Sequence, residues 1–214
     1  MTPNLREQKR RATRSAIEDH ATRLVAENGF ECVTVEDICA AAQISRRTFF
    51  NYMESKEAAV LGSPPRELAE RDITAFLAQR HPDLTSAILN LGFDLLLGTA
   101  LDSDNAGVLL RRRKAIRRDN PQLSFTQLSS FVSRQEALAR TTALYLEKYD
   151  ADRILPSQTL AYEARSHVAV ITAAIQLGAK HWMDSPSSQL TELKAMCDQA
   201  LADIRTLTSE RRPQ

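Results

Sequence analysis

Hydrophobic residues recur at spacings of three and four along most of the chain, the pattern of one buried face of an α-helix. The first such stretch runs over about 5–28, where Ile17, Ala21 and Val25 share a face. Gly29 then supplies a natural helix stop. Long alternation of Val, Ile and Thr, which would indicate strands, is absent. The pattern therefore predicts an all-α fold.

Two short helices separated by a tight turn follow the first helix. One begins near Thr34, the turn lies around Gln43 and Ile44, and the second begins at Ser45. Thr34 and Asp37 are spaced like a capping box, and the Ser45 side chain suits a helix N-cap. This spacing is typical of a helix-turn-helix, whose second helix enters the major groove of DNA by its first turn.

The residue types of this segment suit DNA recognition. Arginine pairs bidentately with guanine, and a threonine methyl can meet a thymine methyl. Phosphate contacts, in contrast, set the register of the protein on the duplex without reading sequence. The predicted DNA-contacting set comprises Arg46, Arg47, Thr48 and Asn51 on bases, Thr34, Ser45, Tyr52 and Lys56 on phosphates, and Phe50.

About residues 6–60 closely resemble the amino-terminal domain of the TetR (tetracycline repressor-like) family. The resemblance is specific because many positions agree at fixed spacing, whereas beyond residue 60 only length and helical style agree. It implies a three-helix helix-turn-helix DNA-binding domain, followed by a helical ligand-binding and dimerisation bundle. The agreeing positions are Thr34, Val35, Ile38, Ala42, Ser45, Thr48, Phe49, Tyr52, Ser55, Lys56 and Glu57.

Four positions depart from the family pattern without removing the helix-turn-helix. Gln43 stands where the family usually has glycine in the turn, and a left-handed glutamine costs about 1 kcal/mol against glycine. Phe50 replaces a common tyrosine, so one phosphate-reaching hydroxyl is lost. Cys39 and Met53 replace a usual alanine and phenylalanine, which are packing changes.

Charge patterning indicates local rather than overall basicity. The 214 residues carry a net charge of +1, so DNA affinity must come from patches. Residues 6–14 hold five basic side chains against Glu7, which favours a phosphate-contacting segment over a solvated, frayed terminus. A second basic run, Arg111–Arg118, has three open interpretations: a solvated helix face, a contact with DNA phosphates, or a site for an anionic effector.

The chain is predicted to be a cytoplasmic regulator rather than an enzyme or a membrane protein. No apolar run approaches the roughly 20 residues that span a bilayer, and no signal peptide is evident. Glycine-rich phosphate loops, Gly-x-Ser-x-Gly and His-Glu-x-x-His are absent, and the three cysteines, expected to be buried and reduced, lack metal-ligand spacing. We therefore expect no catalytic residue, cofactor or metal. The alternative is a helical small-molecule-binding protein or enzyme without sequence-specific DNA binding.

The expected domain division is 1–58 for DNA binding and 59–214 for ligand binding and dimerisation. A helix beginning at Ser55, broken at 62–65 and resumed to about Arg80, would connect the two. A strongly apolar helix over 84–101 and a long helix ending near Tyr149 follow. Polar residues within them face either water or an effector cavity, and the ligand-binding candidates are Asn90, Asp94, Gln127, Arg134 and Gln135.

The last two helices, at about 157–184 and 186–208, carry apolar seams with small residues. Each seam either covers the monomer's own core or forms a two-fold interface, and we favour a four-helix dimer bundle. A homodimer doubles the recognised site and requires a palindromic operator. The predicted function is a repressor that a small-molecule effector releases from that double-stranded DNA operator. The predicted interface residues are Ala164, Val168, Ile171, Ile175, Trp182, Leu193, Cys197 and Ile204.

Overall fold

A computed structural model of the chain describes residues 5–62, 68–97 and 105–209, without the side chains of Glu7, Asp94, Leu96, Leu97 and 124–130. The regular secondary structure of the described residues is helical, with no strand among them, so the all-α prediction is confirmed. Short 3-10 turns occupy Pro121–Ser124 and Asp150–Asp152. The helices are α1 (Leu5–Asn28), α2 (Val35–Ala41), α3 (Arg46–Tyr52), α4 (Lys56–Leu61), α5 (Glu70–Leu77), α6 (Leu84–Leu97), α7 (Ala106–Asp119), α8 (Phe125–Lys148), α9 (Leu160–Asp184) and α10 (Leu190–Thr208).

The described residues cluster into two compact units. The head unit takes residues 5–62 together with 105–128, and the bundle unit takes 68–97 and 129–209. The division expected from sequence had instead placed everything after residue 58 in one domain. The difference arises because α7 packs on α1 and adds Ile116 to the core of the head unit.

The head unit has a continuous apolar core built from helices α1 to α4 and α7. Ile17 and Ala21 of α1 are fully buried there, as are Ile38 of α2 and Phe49 of α3. α1 ends at Asn28 and is followed by Gly29, whose φ of +88° is the left-handed conformation that glycine adopts without steric cost. The short helices are therefore held by shared burial, because helices of 7 residues are marginal alone.

In the bundle unit, α9 and α10 pack closely against each other. Gly178 permits this approach, since a Cβ built on it would lie 2.6 Å from the Cα of Cys197 in α10. The Trp182 side chain is fully buried and its Nε1 donates to the carbonyl oxygen of Gln189 at 3.1 Å. The α9–α10 pair is thus fastened within one protomer.

This packing corrects the predicted dimer interface. The named seam residues turn inward, and all except the half-buried Ile204 are buried within the single chain: Ala164, Val168, Ile171, Ile175, Trp182, Leu193 and Cys197. The seams therefore cover the protomer's own core, the alternative that the pattern alone had left open. An amphipathic stripe shows that a face is buried, but it does not show what buries it.

Candidate nucleic-acid interface

The N-terminus of α2 is closed by a reciprocal capping box, as the spacing predicted. The Asp37 amide donates to the Thr34 hydroxyl oxygen at 3.1 Å, and the Thr34 amide donates to the Asp37 carboxylate at 2.8 Å. The Thr34 hydroxyl also donates to this carboxylate at 2.6 Å, and these hydrogen bonds lower the pKa of Asp37. Thr34 is therefore a helix cap whose hydroxyl proton is donated to Asp37, and its contact with a phosphate stays a prediction.

The turn between α2 and α3 contains a left-handed residue at the position where the family usually has glycine. Gln43 has a φ of +54°, and the Ile44 amide donates to the Cys39 carbonyl at 3.0 Å, closing the end of α2. A glutamine in this conformation costs about 1 kcal/mol against glycine. The turn nevertheless forms, because the fully buried side chains of Ile38 in α2 and Phe49 in α3 hold the two flanking helices in place.

The N-terminus of α3 is capped by Ser45, and one hydroxyl proton there remains available for a hydrogen bond. The Thr48 amide donates to the Ser45 hydroxyl oxygen at 3.0 Å. The hydroxyl groups of Ser45 and Thr48 share a hydrogen bond of 2.8 Å. Only one of the two hydroxyl protons serves that bond, so the other can be donated to a phosphate or a base edge.

The remaining polar side chains predicted to contact bases lie on the outer face of α3. Arg46, Arg47 and Asn51 are exposed, while Phe49 on the opposite face is fully buried. Arg47 forms no ion pair with another described residue, whereas Arg46 pairs with Glu36 of α2 at 2.7 Å. The structure thus brings the predicted base-reading set, with Thr48, onto one surface.

The two aromatic members of the predicted set differ in exposure. Phe50 is 47% exposed, which leaves its ring on the outer surface of α3 beside Arg46. Tyr52 is half-buried and packs partly against the core of the head unit. Tyr52 therefore has a structural role, and its contact with a phosphate stays a prediction.

Lys56 serves the head unit internally. Its ammonium donates to the carbonyl oxygens of Phe30 at 2.8 Å and Val33 at 3.0 Å, and lies 4.1 Å from the centroid of the Phe30 ring. These contacts fasten the loop between α1 and α2 to the start of α4. They give Lys56 a structural role, and we expect this role to replace the phosphate contact predicted from its position in the sequence.

Replacing Lys56 with methionine should therefore lower the free energy of unfolding of the head unit by about 1–2 kcal/mol, because two carbonyl oxygens lose their donor. Urea denaturation followed by circular dichroism measures this loss. The dependence of DNA affinity on salt should keep its slope. A slope reduced by about one unit, with stability unchanged, would show instead that Lys56 binds a phosphate.

The basic run on α7 finds its acidic partners on α1. Arg112 pairs with Asp19 at 2.6 Å, and the buried Arg113 pairs with Glu18 at 3.0 Å. Arg113 also donates through Nε to the carbonyl oxygen of Val60 at 3.1 Å. For Arg112 and Arg113 the interpretation as a solvated face is wrong, and both are engaged in fastening α7 within the head unit.

The ligand-binding candidates do not converge on one site among the described side chains. Asn90 is exposed, which agrees with the water-facing alternative that the sequence had left open for it. The side chains of Asp94 and Gln127 lie outside the described part of the structure. Arg134 is buried and donates to the Leu95 carbonyl at 3.0 Å, while Gln135 donates to the Thr172 hydroxyl at 3.0 Å.

Sequence reasoning missed the acidic partners of three arginines. Glu36 lies ten residues before Arg46, while Glu18 and Asp19 lie over ninety residues before Arg113 and Arg112. No local periodicity connects such positions. For the pairing of Glu36 with Arg46, the usable sequence signal is their position: Glu36 lies in the first turn of α2 and Arg46 in the first turn of α3.

The cysteines show no sign of a metal or disulfide site. Cys32 is exposed, contrary to expectation, whereas Cys39 and Cys197 are buried, and burial raises the pKa of Cys197 to about 11. Within 5–62, 68–97 and 105–209, no three His, Cys, Asp or Glu side chains are grouped to hold a metal ion. Of the helices described, none is long and apolar enough to cross a bilayer.

Comparisons with known proteins agree with this geometry. Residues 17–61, which include the helix-turn-helix, match the family of bacterial regulatory proteins called the tetR family. The chain is 27% identical over 206 residues to the HTH-type transcriptional regulator TcmR of Streptomyces glaucescens, covering 95% of this chain and 87% of TcmR. Among solved structures, GusR of Salmonella enterica is 19% identical over 89% of this chain and 96% of its own, but its TM-score of 0.40 supports no further conclusion.

A second curated relative settles the family. The chain is 30% identical over 189 residues to the putative mycofactocin biosynthesis transcriptional regulator MftR of Mycobacterium tuberculosis (strain ATCC 25618 / H37Rv). The match covers 86% of each chain. It extends far beyond the helix-turn-helix, so the likeness is not confined to a common DNA-binding motif. The chain is therefore a DNA-binding transcriptional regulator and belongs to the TetR family of bacterial regulatory proteins.

Proposed function

We propose that this regulator acts in the cytoplasm as a homodimeric repressor that a small-molecule effector releases from a palindromic operator. Each protomer inserts α3 into a major groove, with Arg46, Arg47, Thr48 and Asn51 facing base edges. The observation that carries the proposal is the outer face of α3, where these side chains lie on a helix anchored by the buried Phe49. A remaining hydroxyl proton of Ser45 or Thr48 is available for a phosphate.

Dimerisation is proposed through the outward faces of α9 and α10, because their inner seams are buried within the protomer. On α9 the exposed residues Ala169, Ala173 and Leu177 follow helical spacing, and on α10 Ala195 and Ala202 do the same. Small side chains allow two helices to approach closely, and Leu177 is 49% exposed in the single chain. Burying these faces against a second copy would create the four-helix bundle.

Effector binding is proposed for the bundle unit. Arg134 and Gln135 are the described candidates that remain, since both lie on α8 with their polar groups directed at α6 or α9. An effector can release DNA only by its differential affinity for the state that no longer matches the half-site spacing. The chemical class of the effector follows from a screen against the DNA complex.

Fluorescence anisotropy with duplexes tiling the DNA upstream of the gene tests the proposal, at physiological salt with competitor DNA. Saturable binding to one palindromic fragment, with one or two dimers on each site, is expected. Titrating small molecules into this complex then identifies compounds that lower the anisotropy. Weak, equal binding to every fragment would argue against an operator in this upstream DNA. If duplexes selected from a randomised library bind no more tightly than unselected duplexes, the alternative without sequence-specific DNA binding would be favoured.

Replacing Arg47 with alanine should weaken operator binding by about 1–3 kcal/mol and relax the preference at one base position, because a bidentate arginine–guanine pair is lost. Binding to a panel of single-base operator variants measures both effects. Arg71→Ala is the matched control, since Arg71 is an exposed arginine on α5 paired with Asp72. An equal loss on every sequence would show that Arg47 contacts only phosphate.

A further inference from the structure

We propose that Glu36 is a positioning residue for DNA reading, which holds the Arg46 guanidinium for a base edge and disfavours its use on phosphate. The inference rests on the proposed function, because it takes α3 as the helix that enters the major groove. Arg46 belongs to the predicted base-reading set, whereas no local sequence pattern assigns a role to Glu36. The structure places the two side chains together on the outer surface of the motif.

The ion pair bridges the two helices of the helix-turn-helix. The Glu36 Oε1 lies 2.7 Å from the Arg46 Nη1, and the side chains are 60% and 68% exposed. Glu36 is in the first turn of α2, and Arg46 is the first residue of α3. Because the first turn of the recognition helix is the end that meets DNA, the carboxylate lies beside the surface that approaches the bases.

Phe50 holds the same guanidinium from a second direction. The Arg46 guanidinium carbon lies 5.7 Å from the centroid of the Phe50 ring, a cation–π distance, and Phe50 is one helical turn further along α3. Phe50 in turn meets the buried Phe49 edge to face, with centroids 5.3 Å apart. Arg46 is therefore restrained before DNA arrives, which reduces the side-chain entropy lost on binding.

The carboxylate also changes which acceptor suits Arg46. A guanidinium presents five N–H donors, so a contact through one Nη1 bond leaves others for the O6 and N7 atoms of guanine. A phosphate at the same place would carry a full negative charge next to Glu36 and would be repelled. The pair thus favours a neutral base edge over the backbone, and specificity gains from this repulsive element.

Glu36→Gln tests the inference, because glutamine keeps the shape and removes the charge. The probes are a duplex enriched by the wild-type protein from a randomised library and a scrambled duplex of the same composition. On the scrambled duplex the salt slope of E36Q should steepen by about one unit, since Arg46 becomes free to neutralise a phosphate. The ratio of enriched-duplex to scrambled-duplex affinity should fall roughly tenfold.

Glu27→Gln is the matched control, as it removes the same charge from an exposed pair of the head unit, with Arg23 at 3.8 Å on α1. E27Q should leave the slope and the ratio unchanged. The effect of E36Q should also vanish on an Arg46→Ala background, because the arginine that it redirects is gone. Circular dichroism of each variant confirms that the fold is retained.

Three results would overturn the inference and leave the proposed function standing. The first is an E36Q slope and ratio equal to those of the wild type, and the second is equal changes in E36Q and E27Q, which would reflect bulk charge. The third is an undiminished E36Q effect on the Arg46→Ala background. If the wild-type protein enriches no sequence, the proposed function fails and the inference fails with it. Enrichment by the wild type therefore separates the two failures.

Discussion

Glu18→Ala should destabilise the head unit by about 3–5 kcal/mol, because it leaves the Arg113 guanidinium buried without its carboxylate partner. The Glu18 and Arg113 side chains are 9% and 4% exposed, and the Glu18 Oε2 lies 3.0 Å from the Arg113 Nη2. Glu18 also accepts from Arg14 at 3.1 Å, so the carboxylate is shared by two arginines. Urea denaturation, followed by circular dichroism and by the loss of DNA binding, measures the change.

Two matched variants separate the burial of this pair from its charge. Asp19→Ala breaks the neighbouring ion pair with Arg112, in which the Asp19 and Arg112 side chains are 31% and 27% exposed. This change should lower the free energy of unfolding by only about 1 kcal/mol. The double change Glu18→Leu with Arg113→Met removes both charges and should recover most of the loss, since apolar replacements of buried ion pairs are often neutral. Equal losses for Glu18→Ala and Asp19→Ala would contradict the role assigned to burial.

Gly178→Ala should destabilise the bundle unit by roughly 3 kcal/mol, the upper part of the usual range for overpacking. Its added Cβ would lie 2.6 Å from the backbone nitrogen and Cα of Cys197 and 2.8 Å from the carbonyl carbon of Met196. Backbone atoms of a neighbouring helix cannot rotate aside, so α9 and α10 would have to separate. Thermal and urea unfolding of the variant measure the cost.

Gly92→Ala is the informative comparison, because it makes the same change at another helical glycine of the bundle unit. There the added Cβ would meet side-chain ends, the Cδ1 atoms of Ile171 at 3.0 Å and Leu138 at 3.1 Å. Those methyl groups can shift by a few tenths of an ångström, and alanine is favoured over glycine in a helix by about 1 kcal/mol. The stability change should therefore be close to zero, and a loss as large as that of Gly178→Ala would contradict the backbone-contact explanation.

The segment around the helix-turn-helix was predictable because its signals are local. The caps at Thr34 and Ser45 act within three residues, and the left-handed turn at Gln43 lies between the helices that it joins. Hydrophobic spacing within each short helix identifies the buried face, as for Phe49. Each of these features depends on neighbours in sequence, which local patterns describe well.

Longer-range partners were not predictable from the same patterns. The Lys56 ammonium binds carbonyl oxygens 23 and 26 residues before it. Arg112 contacts a carboxylate 93 residues before it, so the basic run could not be distinguished from a solvated face by its sequence alone. A long cationic side chain can find its partner on any element that packs beside it, and local periodicity does not name that element.

By itself, then, the sequence determined the helical class, the helix-turn-helix and the side chains on its outer face, because caps, turns and 3.6-residue periodicity act over a few residues. Only the tertiary structure decided that α7 joins the head unit through Arg112 and Arg113, and that Glu36 rather than solvent meets Arg46. It also decided that the α9 and α10 seams are closed within one protomer around Gly178. The physical reason is that an apolar stripe needs some apolar surface to cover it, and a buried charge needs some opposite charge. Which residue meets that need depends on how helices distant in sequence pack together.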